Sequence, residues 1–237
     1  MYLRYPFARL PGGRRNRHGG LDAGNSFSQG EWRLIRPVAD TLEQAHGWRA
    51  PAAQRLRFLL DFGYATGLRA AEFVDARLGD VRTDEHGDHW LKVHGKGELD
   101  GKVGLPPLAR RALTRYLLER GLPLTPERWK PATPIVANLD DDAASIASLR
   151  LRRILRRFFL AAACTLEPER PALADKLRCA SPHWLRHTHA SHALARGAEL
   201  VTVRDNLRHA SIATTSRYLQ GDEVRRASPL DQAFGEP

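Results

Sequence analysis

The stretch HWLRHTHASH, residues 183–192, puts four histidines in ten positions with one arginine among them. Histidines in such number first suggest a metal. Ser181 and Pro182 make a good helix start, a capping serine followed by a proline at the first helical position. On that helix His183 and Arg186 lie three apart on one face, and His187 lies close by. At about 100° per residue, His189 and His192 point away from His183, so the four rings cannot converge on one ion. His183 and His187 have a spacing that zinc accepts, but no glutamate follows the first histidine and no third ligand has a characteristic spacing. The reading is therefore no metal. His189 and His192 read as a polar helix face or as satisfied packing, and His187 stays undecided. A histidine and an arginine on one helical turn suit a different ligand, a phosphate. Arginine offers planar, bidentate donation to phosphate oxygens, and a helix N-terminus adds its own donors. Downstream, LRHASIATTSRY supplies His209 and then Tyr218, a hydroxyl able to attack phosphorus.

Positioning these groups needs a scaffold, and the pattern is mostly helical. A helix is expected from Ser28 to His46, with Ser28 and Glu31 forming a capping box and Trp32, Ile35, Val38 and Leu42 on its apolar face. Pro37 should kink or split it. A second helix is expected over residues 52–64, followed by ATGLRAAEF. There Thr66 and Gly67 break the pattern and place Arg69 at a helix junction, with helix resuming to about Ala76. HWLKVHGKG and KVGLPP, residues 89–97 and 102–107, read as a β-hairpin with Lys96 at or near its turn. Residues 108–120 read as helix, and 121–144 as loop with the acidic run LDDDA. Residues 145–163 read as a strong helix carrying Arg150, Arg152, Arg153, Arg156 and Arg157. Residues 181–220 read as short helices punctuated by Gly197 and by the region of Arg208. The expected fold class is mainly α with a small antiparallel β-sheet.

Bulk composition narrows the partner. The 237 residues carry 37 Lys and Arg against 27 Asp and Glu, a net charge of +10 and a pI of about 10.3, with 42% hydrophobic residues. That is enough apolar material for a core, and the basic excess suits a polyanion, most often nucleic acid. Cys164 and Cys179 are the only cysteines, too few for a zinc ribbon or a disulfide framework, so a reduced, cytoplasmic protein is expected. No apolar run has transmembrane length, and the basic N-terminus lacks a signal-type apolar stretch.

Together these motifs resemble the tyrosine recombinase, or phage integrase, family. The family pattern H-x-L-R-H appears as HWLRH, L-G-H-S-S as LRHAS, T-T-x-x-Y as TTSRY, T-G-L-R-x-x-E-L as TGLRAAEF, and the G-K-G hairpin as HGKGELDGKVGLPP. Each is weak alone; their joint, ordered occurrence over residues 28–225 is specific. The resemblance implies the DNA breaking-rejoining enzyme fold and phosphoryl transfer on double-stranded DNA. Tyr218 would be the nucleophile, forming a 3′-phosphotyrosyl bond. Arg69, Arg186 and His209 would hold the nonbridging oxygens, Lys96 would protonate the leaving 5′-oxygen, and His183 would take the tyrosine proton or orient the phosphate. The covalent bond stores the energy of the broken one, so neither a metal nor another cofactor is expected. The arginines of residues 150–157 either contact DNA phosphates or form a solvated face. Taken singly, Arg69 could instead cap its helix and pair with Glu72, Lys96 could be solvated, and Tyr218 could be a packing residue.

The implied organisation is a linker or tail over residues 1–25, a catalytic domain over 26–225, and a C-terminal tail over 226–237. Members of the family often place a separate helical DNA-binding domain before the catalytic one, so a fragment or a minimal form is expected, with weaker binding. Residues 222–234, with Leu230 and Phe234 as anchors, could exchange between protomers, and a homo-oligomer from dimer to tetramer on DNA is expected. Arg208 stands where the family usually has glycine. If that backbone needs positive φ, arginine carries strain of about 1 kcal/mol. Type IB topoisomerase-like nicking and closing, or a DNA-binding module without catalysis, are the alternatives.

Overall fold

The computed structural model describes residues 25–94, 100–209 and 211–216. Lys96, Tyr218 and both terminal segments, residues 1–24 and 217–237, lie outside the described residues.

The chain opens with α1 (Gln29–Val38), whose Ser28 cap and Glu31 form the expected reciprocal capping box. Pro37 sits in the last turn of α1, and a second helix, α2 (Leu42–His46), follows after a break. The helical pattern over 28–46 is thus split after Pro37, as its proline led one to expect: Pro37 has no N–H for the carbonyl four residues back and its ring crowds that carbonyl. Helix α3 (Ala50–Thr66) is the centre of the molecule. It buries Leu56, Phe58, Leu59, Leu60, Phe62 and Tyr64, and packs against α5 (Pro107–Glu119), α6 (Ser148–Leu166) and α8 (His183–Ala195). Phe58 stacks on Tyr116 of α5 at 4.5 Å, and Trp32 of α1 stacks on Tyr64 at 4.9 Å. The cluster is continuous through Phe27, which lies 5.2 Å from Trp184 of α8. Burying such rings contributes roughly 25 cal/mol per Å² of apolar area removed from water, which makes α3 the main stabilising contact surface.

Between α4 (Ala70–Asp75) and α5 lies the sheet. Among the described residues it has three antiparallel strands in the order β1 (Val81–Thr83), β2 (His89–Val93), β3 (Gly101–Gly104). Leu91 faces Val81 on one side and Val103 on the other, so one sheet face is apolar and buried, while Lys92 pairs with Lys102 on the other. The expected hairpin is β2–β3. The sequence pattern missed β1, which is too short at three residues to show alternation. It also missed α7 (Pro171–Cys179), which buries Leu173, Ala174 and Leu177 against α6. Helix α6 starts three residues later than expected, because the Ser145 hydroxyl donates to the Val74 and Val136 carbonyls. Two short helices close the described chain, α9 (Leu200–Leu207) and α10 (Ile212–Ser216).

Gly67 is the sharpest local constraint. It ends α3 in the left-handed region, φ 66°, and a Cβ there would stand 2.7 Å from both His189 and Leu207. Both effects demand glycine: the positive φ, and the close approach of α8 and α9. Gly67→Ala is expected to lower stability by roughly 1–3 kcal/mol, read as a reduced urea midpoint at unchanged slope.

Candidate active site

The turn at Gly67 leads directly into Arg69, which caps α4. Glu72 is buried on the first turn of that helix. Its Oε2 accepts the Arg69 backbone N–H at 2.7 Å, and its Oε1 accepts Arg69 Nη1 at 2.8 Å. The capping and Glu72-pairing alternative for Arg69 is therefore present in the fold, yet the guanidinium remains 45% exposed and open to a ligand. Burial alone would push the Glu72 carboxyl up, but Arg208 and Arg69 together hold it below the ordinary range.

Helix α8 begins at His183, with Pro182 at the cap position, one residue later than the Ser181 cap expected. Three residues on, Arg186 is 2% exposed. Its guanidinium donates to the Gly67 carbonyl at 2.7 Å and to the Leu207 carbonyl. A buried cation needs such acceptors, because desolvation otherwise costs several kcal/mol. The two carbonyls end α3 and α9, so one side chain ties three helices to one point. His183 stands at the exposed start of α8, its ring edge-on to His187 at 4.3 Å.

His209 follows α9. Its Nδ1 shares a hydrogen bond with the buried Thr215 hydroxyl of α10 at 2.9 Å. Its pKa is lowered to about 4, first by burial and then by the charges of Arg186, Arg69, His183 and Arg208. Groups from α4, α8 and the α9–α10 turn thus act on this one imidazole. His183 is lowered too, by burial and by Arg186 and Arg69. His187 is held at about 4 by burial, then by His183, Arg186 and His209. Arg69, Arg186, His183 and His209 thus share one neighbourhood, with permanent charge on the arginines and neutral imidazoles at pH 7. That arrangement suits a phosphodiester: fixed cations for the oxygens, and neutral rings able to donate or take a proton.

The other two histidines of the cluster are packing groups. His189 Nδ1 bonds the Tyr64 carbonyl at 2.8 Å, and His192 lies between the Tyr64 hydroxyl and the Phe27 carbonyl, 2.8 Å from each. The basic helix divides. Arg150, Arg152 and Arg153 are exposed, whereas Arg156 donates to the Arg178 carbonyl and Arg157 lies over the Trp48 ring at 4.2 Å. The last two, also exposed, help hold α6 to its neighbours.

Sequence reasoning missed Asn206 and Thr215. Asn206 accepts from the Gly104 backbone N–H of β3 at 2.9 Å, donates to the Thr66 carbonyl at 3.2 Å, and lies 3.3 Å from His189 Nε2. It joins the sheet, α3, α8 and α9. Nothing in its sequence position marks it, whereas Thr215 could have been found in the TTSRY motif. Arg208 takes φ 52° and ψ 50°, the left-handed conformation anticipated for a glycine, so the strain of about 1 kcal/mol applies.

The Phage integrase family profile matches residues 37–225. The tyrosine recombinase XerD of Brucella abortus (biovar 1, strain 9-941) is 36% identical over 194 residues, 81% of this chain and 56% of that protein. Tyrosine recombinase XerC of Bifidobacterium longum subsp. infantis is 34% identical over 231 residues, 91% of this chain and 60% of that protein. The chain thus spans little more than half the length of these relatives. Among solved structures, the post-cleavage complex of XerH site-specific recombinase with palindromic difH substrate superposes with a TM-score of 0.65 at 21% identity, covering 91% of this chain and 55% of that one. The Tn1549 transposon integrase bound to transposon right end DNA gives a TM-score of 0.59 at 11% identity, covering 91% of this chain and 67% of that one. These likenesses establish the fold class expected from sequence.

The depressed histidines set a pH dependence. Unfolded, His187, His189 and His209 take up protons near 6.5; folded, they resist until about 4. The unfolded state binds more protons across that window, so stability falls as pH drops from 6.5 towards 4. The urea midpoint is expected to decline over this interval, with the His187, His189 and His209 imidazole NMR resonances of the native protein still unprotonated at pH 5.5.

Proposed function

The chain belongs to the phage integrase family, and from that premise we propose that it is a site-specific DNA recombinase that cuts and rejoins double-stranded DNA through a 3′-phosphotyrosyl bond at Tyr218. The observation that carries this reading is the shared neighbourhood of Arg69, Arg186, His183 and His209, with Arg186 locked by the Gly67 and Leu207 carbonyls. The Tyr218 oxygen attacks phosphorus and the bond to the 5′-oxygen breaks. His183, neutral at pH 7 because burial and two arginines depress it, takes the tyrosine proton. Lys96 returns a proton to the departing 5′-oxygen. Arg69 and Arg186 hold the nonbridging oxygens, and His209 adds a neutral donor. In the reverse direction a 5′-hydroxyl of a second strand attacks the phosphotyrosyl bond and releases Tyr218. Strand exchange between two duplexes needs more than one protomer, so the working form is a homo-oligomer on DNA, a dimer to a tetramer. The exposed Arg150, Arg152 and Arg153 supply salt-dependent contacts to the DNA backbone. Among the described residues no helix is long and apolar enough to cross a membrane; the cytoplasm, where DNA is the substrate, is the proposed place of action.

The test is covalent trapping on nicked suicide duplexes drawn from the ends of the native element. A denaturation-resistant protein–DNA band, lost in Tyr218→Phe, is the expected result. A gel shift without any such band would make the chain a DNA-binding module instead. Relaxation of supercoiled plasmid lacking a specific site would favour nicking and closing without exchange. Arg69→Ala is expected to slow band formation roughly 10²–10³-fold, measured under single-turnover conditions.

A further inference from the structure

Arg208 holds a left-handed backbone, φ 52°, that glycine would adopt freely. Its side chain does not trail into solvent; it is 16% exposed and its Nη2 pairs with Glu72 Oε2 at 2.5 Å. The other oxygen of that carboxylate, Oε1, takes Arg69 Nη1 at 2.8 Å. The two arginines therefore divide one buried carboxylate. The contact continues on both sides. The Arg208 carbonyl accepts Arg69 Nη2 at 3.4 Å. The aliphatic stem of Arg208 lies against Gly101 of β3, where any Cβ would collide with Arg208 Cδ. Gly101 borders the segment between β2 and β3 that carries Lys96.

We propose that Arg208 is a positioning residue for Arg69, occupying one oxygen of Glu72 so that Arg69 pairs with that carboxylate through a single side-chain nitrogen and keeps its remaining donors for a phosphate. Glu72 Oε2 also accepts the Arg69 backbone N–H; were Arg208 absent, the second acceptor site of that oxygen would be open to the fork of Arg69. The bidentate pairing that arginine favours with carboxylates would then draw the guanidinium into the protein. The same residue also seats the turn that precedes His209 against the sheet, so two phosphate-binding groups depend on one side chain. This inference rests on the recombinase reading above and adds a residue that the family motifs do not include.

The experiment compares parent, Arg208→Gly and Arg208→Lys in the full chain. Three quantities are read: the rate of covalent band formation on the suicide duplex, the DNA Kd in a Tyr218→Phe background, and Tm. Glycine relieves the backbone strain, so Arg208→Gly should fold with an unchanged or raised Tm. Its band formation should nevertheless fall at least about tenfold, as expected for a small misplacement of a phosphate-binding group. Its Kd should stay within about threefold of the parent. Arg208→Lys, which keeps a cation for Glu72, should recover part of the rate. A glycine variant as fast as the parent overturns the proposal, as does a rate that falls only in step with Kd and Tm. A parent that forms no band overturns the recombinase reading, and this inference with it.

Discussion

The site depends on one buried cation. Arg186 sits almost wholly out of water, and its guanidinium is satisfied by the carbonyls that end α3 and α9. Removing the charge from solvent would cost several kcal/mol if those oxygens were not aimed at it. Their aim is set in turn by the left-handed turn at Gly67 and by the exit of α9 at Leu207. The aromatic packing along α3 holds the first of these in place, and the small cluster of Ala190, Val203 and Leu207 holds the second. The fold and the site are thus one arrangement: the same helix termini that close the core point the main chain at the arginine.

Around this centre the charges are graded. Arg69 stands half-exposed at the rim with Glu72 beneath it, and Arg208 backs the same carboxylate from the opposite side. His187 and His209, withdrawn from water and close to the arginines, stay neutral. On the recombinase reading proposed above, a phosphodiester would meet cations that keep their charge and rings that can still accept a proton. Asn206 ties this neighbourhood to β3 through the Gly104 amide and to the end of α3 through the Thr66 carbonyl.

Much of this was legible in the residues, and the losses have physical causes. Periodicity located α1, α3, α5, α6 and α8, because long amphipathic stretches show their buried face plainly. It ran one pattern over α1 and α2, with Pro37 marking the split that is found, and it overlooked β1 and α7, whose burial is shared among few residues. Helical geometry alone showed that the four rings of residues 183–192 cannot converge; it left His187 undecided and left His189 and His192 as either a polar face or packing, and the structure gives both of the latter packing bonds. Hidden from the sequence were the contacts that depend on distant partners. Asn206 reaches three elements, and Arg208 reaches Glu72 across 136 positions (208 − 72) of chain. The arginine-rich face of α6 looked uniform, yet Arg157 is taken by the Trp48 ring and Arg156 by the end of α7.

The anchoring of Arg186 on main-chain oxygens has a consequence for how such a site tolerates change over generations. A salt bridge between side chains can be lost by altering either partner, and repair demands a matched second change. A carbonyl is supplied by every amino acid, so drift in side-chain identity at position 207 leaves an acceptor in place. What the arrangement absorbs poorly is a change in chain direction, and at position 67 glycine takes the left-handed turn at least cost while leaving room for His189 and Leu207. The inheritance of the site is therefore concentrated in a single hydrogen atom's worth of empty space.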